Sequence, residues 1–268
     1  MTDPTTNSIS DATTPILTID GARATIRLNR PKQLNRLGQD DLETLMSLFA
    51  QVEADPRLRV LILTGTGRAF SAGFDLGSMA SRSTSADDGR SSGVPFETVA
   101  NRLEYLQMPT ICRLNGGVYG GSTDMALACD FRIGIESCEM FMPAARLGLH
   151  YYRGGIERYV ARLGADHAKR LFLTAQKIDA AEMLRIGYLT AVASADLLDV
   201  EVDNLATILA GNAPKAMRGM KLAINEFSRN RIDGDAVEAR YRASLRGDEI
   251  KEGIAAFAEK RPPRFADS

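Results

Sequence analysis

Two glycine-bearing stretches decide the fold: AFSAGFDL at residues 69–76 and NGGVYGGSTD at residues 115–124. Each stretch follows a short run rich in branched apolar residues, at 60–64 and 110–114, and each precedes a segment suited to begin a helix. Strands, turns and helices repeated in this order are typical of an α/β fold with crossover helices. The sequence therefore predicts an α/β protein.

Together the two turns can aim two backbone N–H groups at one oxygen atom. Preorganised donors of this kind stabilise a carbonyl oxygen as it becomes negative, because they need no reorganisation when the charge develops. The pattern predicts an oxyanion hole, the alternative being that both turns are ordinary glycine-assisted connections. A dinucleotide-binding turn is excluded, because Phe70 stands where the third glycine after Gly65 and Gly67 belongs.

The composition excludes several classes of protein. A chain of 268 residues with 44% apolar residues fits one large or two small globular domains. The 33 basic and 34 acidic residues nearly cancel, so the basic excess that nucleic-acid binding needs is absent. Cys112, Cys129 and Cys138 are odd in number and lack a CxxC spacing, which favours buried free thiols. We expect no metal, flavin or nicotinamide cofactor.

The chain divides into three predicted regions: a leader at 1–14, a core at 15–195 and a helical region at 196–268. The leader is polar and lacks the basic and apolar segments of a secretory signal, so we expect it to be disordered. No apolar run approaches the roughly 18 to 20 residues that cross a bilayer. We expect a cytoplasmic protein without membrane association.

The coarse pattern of elements changes near residue 156. Before it, residues 16–28 alternate as in a two-stranded hairpin, and 40–54 show helical spacing. Residues 77–95, crowded with Ser, Asp, Gly and Arg, predict a mobile surface segment beside the first turn. After residue 156, helices are predicted at 156–163, 167–174, 180–186, 197–210, 214–229 and 235–245.

The two turns also resemble those of a known family. Residues 65–76 and 115–130 are similar to the enoyl-CoA hydratase/isomerase (crotonase) family, as are 30–37, 178–192 and 257–262. The resemblance covers roughly residues 15–263. It implies a spiral of ββα turns, a C-terminal helical trimerisation region, and assembly as a homotrimer or a dimer of trimers. It also implies an acyl-CoA thioester substrate, with coenzyme A entering only as part of that substrate.

The resemblance assigns roles at the two turns. The N–H groups of Phe74 and Gly121 fall where the family holds the thioester oxygen, and Gly121 opens a helix whose N-terminus favours an anion. Asp124 lies one turn into that helix, where the family often carries a glutamate that acts as acid or base. Asp124 is thus the candidate proton-transfer group, with helix capping as the alternative. Family hydratases place a second glutamate where Ala144 stands, so two-glutamate hydration lacks one of its groups here.

The run His150, Tyr151, Tyr152 and Arg153 replaces the small residues and proline usual in the family. Tyr151 matches a tyrosine of the family's methylmalonyl-CoA decarboxylases and is a candidate catalytic residue. A tyrosine can donate a hydrogen bond to a carboxylate or enolate, and Arg153 can pair with a carboxylate. All four residues are candidates for the acyl pocket. The alternative is that the tyrosines pack between subunits and Arg153 caps a surface.

Contacts with coenzyme A follow from the resemblance. In the family, the backbone of the first turn receives the adenine and pantetheine, while a C-terminal phenylalanine and lysine approach the nucleotide from a neighbouring subunit. The residues at those positions are Ala72, Asp75 and Leu76 in the turn and Phe257 and Lys260 near the C-terminus. Arg30 and Lys32 are further candidates for phosphate contacts. Each of these charges has the alternative of a solvated surface position.

The sequence therefore predicts an acyl-CoA enzyme that acts through an oxyanion-stabilised enolate. The leading predicted reaction is isomerisation or hydration of an enoyl-CoA. Isomerisation is slightly favoured because one base can shuttle a proton between two carbons. Decarboxylation or hydrolysis of a carboxyacyl-CoA, with Tyr151 and Arg153 holding the carboxylate, is the enzymatic alternative. An acyl-CoA-binding protein without catalysis is the alternative of another class.

Overall fold

The computed structural model describes residues 13–75 and 93–266. Leu76, most of the predicted leader and most of the predicted surface segment at 77–95 lie outside these ranges. Within the two ranges, none of the helices combines the length and the apolar character that crossing a bilayer requires.

Two sheets are built from short strands: β1 (Ile16–Asp20), β2 (Arg23–Leu28), β3 (Val60–Gly65), β4 (Ala69–Ser71), β5 (Thr110–Leu114), β6 (Gly117–Tyr119), β7 (Phe131–Ile135), β8 (Glu139–Phe141), β9 (Ile178–Asp179) and β10 (Ala191–Ala193). The larger sheet has the order β1-β2-β3-β5-β7-β10, and the smaller has the order β4-β6-β8-β9. Only the pairs β1–β2 and β8–β9 are antiparallel. The predicted hairpin and α/β class are confirmed.

The helices of the described ranges are α1 (Gln39–Ala54), α2 (Phe96–Glu104), α3 (Gly121–Ala128), α4 (Arg153–Leu163), α5 (Ala165–Thr174), α6 (Ala180–Arg185), α7 (Leu198–Gly211), α8 (Pro214–Ser228), α9 (Gly234–Ser244) and α10 (Asp248–Ala258). The six helices predicted after residue 156 are all present, with ends shifted by a few residues at most. Helix α10 was not predicted. The strands β4, β6, β9 and β10 were not predicted either, because two or three residues carry no readable alternation.

Strand β3 separates two apolar cores. Leu61 and Leu63 face one core, which also holds side chains of α1 and α2. Val60 and Ile62 face the other core, against α7. A parallel strand covered on both faces reads as a continuous apolar run, as this one does. Helix α7, the first helix after the predicted boundary at residue 195, thus packs directly on the larger sheet.

Candidate active site

The two glycine turns touch each other at glycine residues. Gly73 has φ +94°, and a Cβ added to it would lie 2.6 Å from the Tyr119 carbonyl oxygen and 3.3 Å from the Gly121 nitrogen. A Cβ on Gly120 would lie 3.9 Å from the Gly73 Cα. Only glycine combines this φ with so close an approach. The structure therefore shows the two turns in contact, as the sequence predicts.

The backbone around Phe74 turns its N–H away from the neighbouring segment. Leu37 donates its N–H to the Gly73 carbonyl (2.9 Å) and accepts from the Asp75 N–H (2.9 Å). Successive peptide groups of an extended segment point to opposite sides, so the Phe74 N–H points away from Leu37. The Gly121 N–H is a first-turn donor of α3, which has no partner inside the helix. Neither N–H donates to a group in the described part of the chain.

Buried polar side chains brace the two turns. The Ser122 hydroxyl donates to Ser71 Oγ (2.6 Å), which donates to the Asn35 carbonyl (2.7 Å) and accepts from the Gly73 N–H (3.1 Å). The Asn35 amide donates to the carbonyls of Ala69 (2.9 Å) and Phe70 (3.1 Å). These bonds fix both turns in one geometry, which is what preorganised donors require.

A cavity of about 650 Å³ opens beside the two turns. Most of its wall is apolar, as is usual for a pocket that takes an acyl group. The predicted site residues that border it are Ala72, Phe74, Gly121, His150, Tyr151 and Tyr152, together with Ala144. Asp124 and Arg153 do not border it, and neither do the predicted coenzyme A residues Arg30, Lys32, Asp75, Phe257 and Lys260.

Asp124 is fully buried behind the wall of this cavity. Its Oδ2 atom accepts hydrogen bonds from the Tyr152 hydroxyl and from Arg158 Nη1. Its Oδ1 atom has no hydrogen-bond partner among the described residues. Since Tyr152 borders the cavity, its phenol group connects the cavity to the carboxylate.

Arg158 belongs to a buried group of alternating charges. Its Nη2 donates to Asn101 Oδ1 (2.8 Å), and its Nε lies 3.2 Å from Glu104 Oε1. Arg229 forms a further ion pair with Glu104. Burial alone lowers the pKa of Arg158, but the charges of Asp124 and Glu104 outweigh it and raise that pKa above its ordinary value. Burial likewise opposes ionisation of Glu104, yet the two arginines hold the pKa of Glu104 below 4.5.

The two cavity tyrosines stack on each other and lie over Gly155. Their ring centroids are 4.4 Å apart. A Cβ on Gly155 would lie 2.3 Å from the Tyr151 ring and 2.9 Å from that of Tyr152, so a glycine is required there. Burial, followed by the charge of Asp124, raises the pKa of both phenols well above 10. Both tyrosines are therefore neutral hydroxyls at neutral pH.

The other two residues of this run lie toward solvent. The Arg153 side chain is 80% exposed and pairs with Glu157 (Nε–Oε1 2.6 Å), so the expectation that it lines the acyl pocket is not met. The i,i+4 spacing on α4 supplies that partner and holds the guanidinium on the helix surface. His150 borders the cavity at an exposed position, where its Nδ1 lies 2.8 Å from the Tyr151 carbonyl oxygen.

The predicted coenzyme A residues are spread over the surface. Arg30 pairs with the buried carboxylate of Asp41 (Nε–Oδ2 3.0 Å), so its charge is already engaged within the chain. Asp75 pairs with Arg36 (3.3 Å). The remaining residues, Lys32, Phe257 and Lys260, are exposed. The Phe257 ring is 88% exposed, and the role in coenzyme A binding stays a prediction for all of them.

Three residues near the site were not predicted from the sequence. Arg158 falls in the buried stripe of α4, where a charge at an apolar position signals a buried partner. Glu97 borders the cavity and accepts from the Gly154 N–H (3.1 Å). Tyr119 also borders it and donates to Glu139 (2.7 Å); burial and that bond raise the pKa of Tyr119 to about 12. Glu97 and Tyr119 carry no such signal in the sequence.

The predicted free thiols are confirmed. Cys112, Cys129 and Cys138 are all unpaired and buried. Burial raises the pKa of the Cys138 thiol to about 12, which leaves it protonated and unreactive at neutral pH.

The fold and the site define a class: an α/β protein in which two glycine turns present main-chain donors beside an apolar cavity. Comparison with known proteins identifies the family. Residues 18–268 match the enoyl-CoA hydratase/isomerase family. The chain belongs to this family of enzymes, and the predicted resemblance and fold are confirmed.

Individual relatives cover nearly the whole chain. A short-chain-enoyl-CoA hydratase of Clostridium acetobutylicum is 34% identical over 92% of this chain and 95% of its own length. A peroxisomal Δ(3,5)-Δ(2,4)-dienoyl-CoA isomerase of Arabidopsis thaliana is 28% identical over 89% of this chain and 91% of its own. The crystal structure of an enoyl-CoA hydratase from Bacillus anthracis superposes with a TM-score of 0.84 at 29% identity, covering 95% and 99% of the two chains.

Proposed function

We propose that this protein converts an acyl-CoA thioester through an enolate whose oxygen is held by the N–H groups of Phe74 and Gly121. The contact between Gly73 and the segment Gly120 to Gly121 carries this proposal. It brings the two turns close enough for both donors to serve one oxygen, beside a cavity that can exclude water from the acyl group. Removing one donor from such a site typically lowers turnover about 10²- to 10³-fold.

Within the family's reactions, we propose double-bond isomerisation in preference to hydration. Hydration needs one group to orient water and another to move the proton at Cα. Ala144 borders the cavity at the position of the second family glutamate, and a methyl group cannot orient water. Isomerisation needs one proton acceptor that serves two carbons in turn. Asp124, bonded to the wall residue Tyr152, supplies one carboxylate.

The relatives' names support the enoyl-CoA substrate, since they include hydratases and a dienoyl-CoA isomerase. Arg153 was expected to hold the substrate carboxylate in a carboxyacyl-CoA decarboxylase. Its exposed position away from the cavity weighs against that reaction. Coenzyme A then enters only as part of the substrate, and no separate cofactor is proposed.

We further propose a homotrimer or a dimer of trimers, built through the C-terminal helices. Large apolar side chains on α8 to α10, and that of Leu245 directly after α9, are exposed in the single chain. Those on the helices are Met220, Ile224, Phe227, Tyr241, Ile254 and Phe257. Exposed apolar surface of this extent is typical of a subunit interface. Analytical ultracentrifugation tests the assembly, and a monomer at micromolar concentration would contradict it.

A gain-of-function variant tests isomerisation against hydration. Wild-type protein is offered but-3-enoyl-CoA and crotonyl-CoA, and both the shifted double bond and the water adduct are followed by mass spectrometry. We expect isomerisation to exceed hydration, and we expect Ala144→Glu to raise hydration because it places a carboxylate where family hydratases carry their second glutamate. Ala145→Glu is the matched control, because Ala145 is exposed and does not border the cavity.

Three outcomes contradict this proposal. Faster hydration than isomerisation in the wild type would remove the preference for isomerisation. Binding of both thioesters without any turnover would leave only the acyl-CoA-binding alternative. Release of free coenzyme A or carbon dioxide from methylmalonyl-CoA, offered in parallel, would transfer the chemistry to hydrolysis or decarboxylation.

A further inference from the structure

The proton acceptor suggested by the sequence does not reach the cavity where the acyl group is expected. Asp124 is fully buried and does not border that cavity, whereas Tyr152 does. The Tyr152 hydroxyl donates to Asp124 Oδ2. A proton that travels between the acyl group and Asp124 therefore meets the phenol oxygen first.

We propose that Tyr152 is the catalytic proton-transfer residue, and that it relays a proton between the acyl group and Asp124. This inference rests on the proposed enolate chemistry and adds the residue that touches the substrate. Gly121 and Asp124 are three residues apart on α3 and thus share one face of that helix. The phenol consequently meets the carboxylate close to one of the two oxyanion donors.

The relay balances without any further reactant. The bond between an acyl carbon and its hydrogen breaks, and this proton bonds to the Tyr152 oxygen while the phenolic proton moves to Asp124 Oδ2. The electron pair of the broken bond enters the enolate, whose oxygen accepts from Phe74 and Gly121. Reversal at another carbon of the conjugated enolate returns one proton to the product and restores the carboxylate.

The surroundings of Tyr152 favour a relay over a free tyrosinate. Burial and the neighbouring carboxylate raise the pKa of the phenol well above 10, so an isolated phenolate is not populated at neutral pH. Handing its own proton to Asp124 as it receives another keeps the phenol neutral throughout. Arg158, bonded to the same carboxylate oxygen, balances the charge of Asp124 in the resting protein.

Tyr151 is the less suitable of the two cavity tyrosines. Its hydroxyl lies 3.5 Å from the Tyr152 hydroxyl, and it makes no hydrogen bond to Asp124 within the described residues. Its stacked ring positions that of Tyr152. The proposal thus assigns the catalytic role to Tyr152 in place of the predicted Tyr151.

Exchange of the α-proton in heavy water tests the relay. Butanoyl-CoA is the probe, because it can form the enolate but has no double bond to hydrate or move. Tyr152→Phe keeps the ring and removes the hydroxyl, and we expect exchange to fall about 10²- to 10⁴-fold. The dissociation constant for butanoyl-CoA should stay close to that of the wild type, since the loss lies in turnover.

Tyr159→Phe is the matched control. It removes another buried hydroxyl of the same aromatic cluster, one that donates to Thr123 Oγ1 (2.6 Å) and does not border the cavity. We expect this variant to exchange at the wild-type rate. The double variant Tyr152→Phe with Asp124→Asn should lose no more activity than Asp124→Asn alone, because the two groups act as one unit. Circular dichroism verifies that each variant is folded.

The outcomes separate the relay from the proposed function. Wild-type exchange that Tyr152→Phe leaves intact overturns the relay alone, as do losses that add in the double variant. If the wild type exchanges neither butanoyl-CoA nor any enoyl-CoA, the enolate chemistry itself fails and the relay fails with it. If the single variants Tyr152→Phe and Tyr159→Phe both lose exchange, the effect is assigned to packing, and the relay is again overturned.

Discussion

The two halves of the site are held together by different means. The two glycine turns meet through glycines, the main-chain pairing of β4 with β6, and hydrogen bonds between uncharged side chains such as Ser122 and Ser71. The region behind Tyr152 is held by buried charges, in which Arg158 joins Asp124 to Glu104. Main-chain donors keep their position when side chains change, whereas a buried charge depends on each partner. We therefore expect substitutions at the contact of the two turns to act mainly on turnover, and substitutions of Arg158 and Glu104 to act mainly on stability.

The largest effect should come from Arg158→Met. This change leaves the carboxylates of Asp124 and Glu104 buried without their shared cation. Breaking a buried pair on one side costs about 3 to 5 kcal/mol. We expect the free energy of unfolding, measured in urea, to fall by that amount. Arg242→Met is the control, since its partner Glu238 and Arg242 itself are exposed, and a similar loss in both variants would contradict the prediction.

Gly73→Ala should be next in size, with its effect on turnover. A Cβ at this position meets the Tyr119 carbonyl oxygen at 2.6 Å and forces the two turns apart. We expect kcat to fall about 10²- to 10³-fold, as for the loss of one oxyanion donor. Gly164→Ala is matched, because Gly164 has φ +81° but nothing within 4 Å of an added Cβ. Equal loss of kcat in both variants would attribute the effect to backbone strain.

Glu104 should make stability depend on pH at the acidic end. Its pKa is lower in the folded protein than its ordinary 4.5, so the stabilisation is present above pH 4.5 and is lost as the pH falls through the folded pKa. Glu104→Gln should be less stable than the wild type at pH 7, by about 1 to 3 kcal/mol. The difference in unfolding free energy should shrink as the pH is lowered, and a constant difference would contradict the assignment.

Phe74→Leu should have the smallest effect. The donor at this position is the main-chain N–H, and the side chain contributes only an edge contact with Phe96 at 6.0 Å between ring centroids. We expect kcat for a short enoyl-CoA to stay within about tenfold of the wild type, because an edge-on aromatic pair is worth about 0.5 to 1.5 kcal/mol. A loss as large as that of Gly73→Ala would show that the ring itself takes part in the chemistry.

The meeting of the two glycine turns could be predicted from the sequence because its signals are local. Glycine spacing and the preceding apolar runs identified both turns, and periodicity located most helices of the C-terminal part. The second half joins distant positions: Asp124 meets Arg158, which is 34 residues away, and Glu104 meets Arg229 at a separation of 125. The position of Arg158 can signal that it has a buried partner, but a single sequence does not show which distant residue that partner is. Asp124 was a candidate because of its position on α3, but its bond to Tyr152 was not predicted.

Main-chain donors also bear on how such a protein can diverge. A point mutation replaces a side chain and leaves the peptide N–H in place, so Phe74 can change without deleting the donor that it carries. Under the proposed function, the acyl pocket is then free to change toward new substrates while the proposed main-chain donors to the enolate oxygen are retained. The donors can thus be retained while the specificity changes. Relatives in this family are accordingly named both as hydratases and as an isomerase.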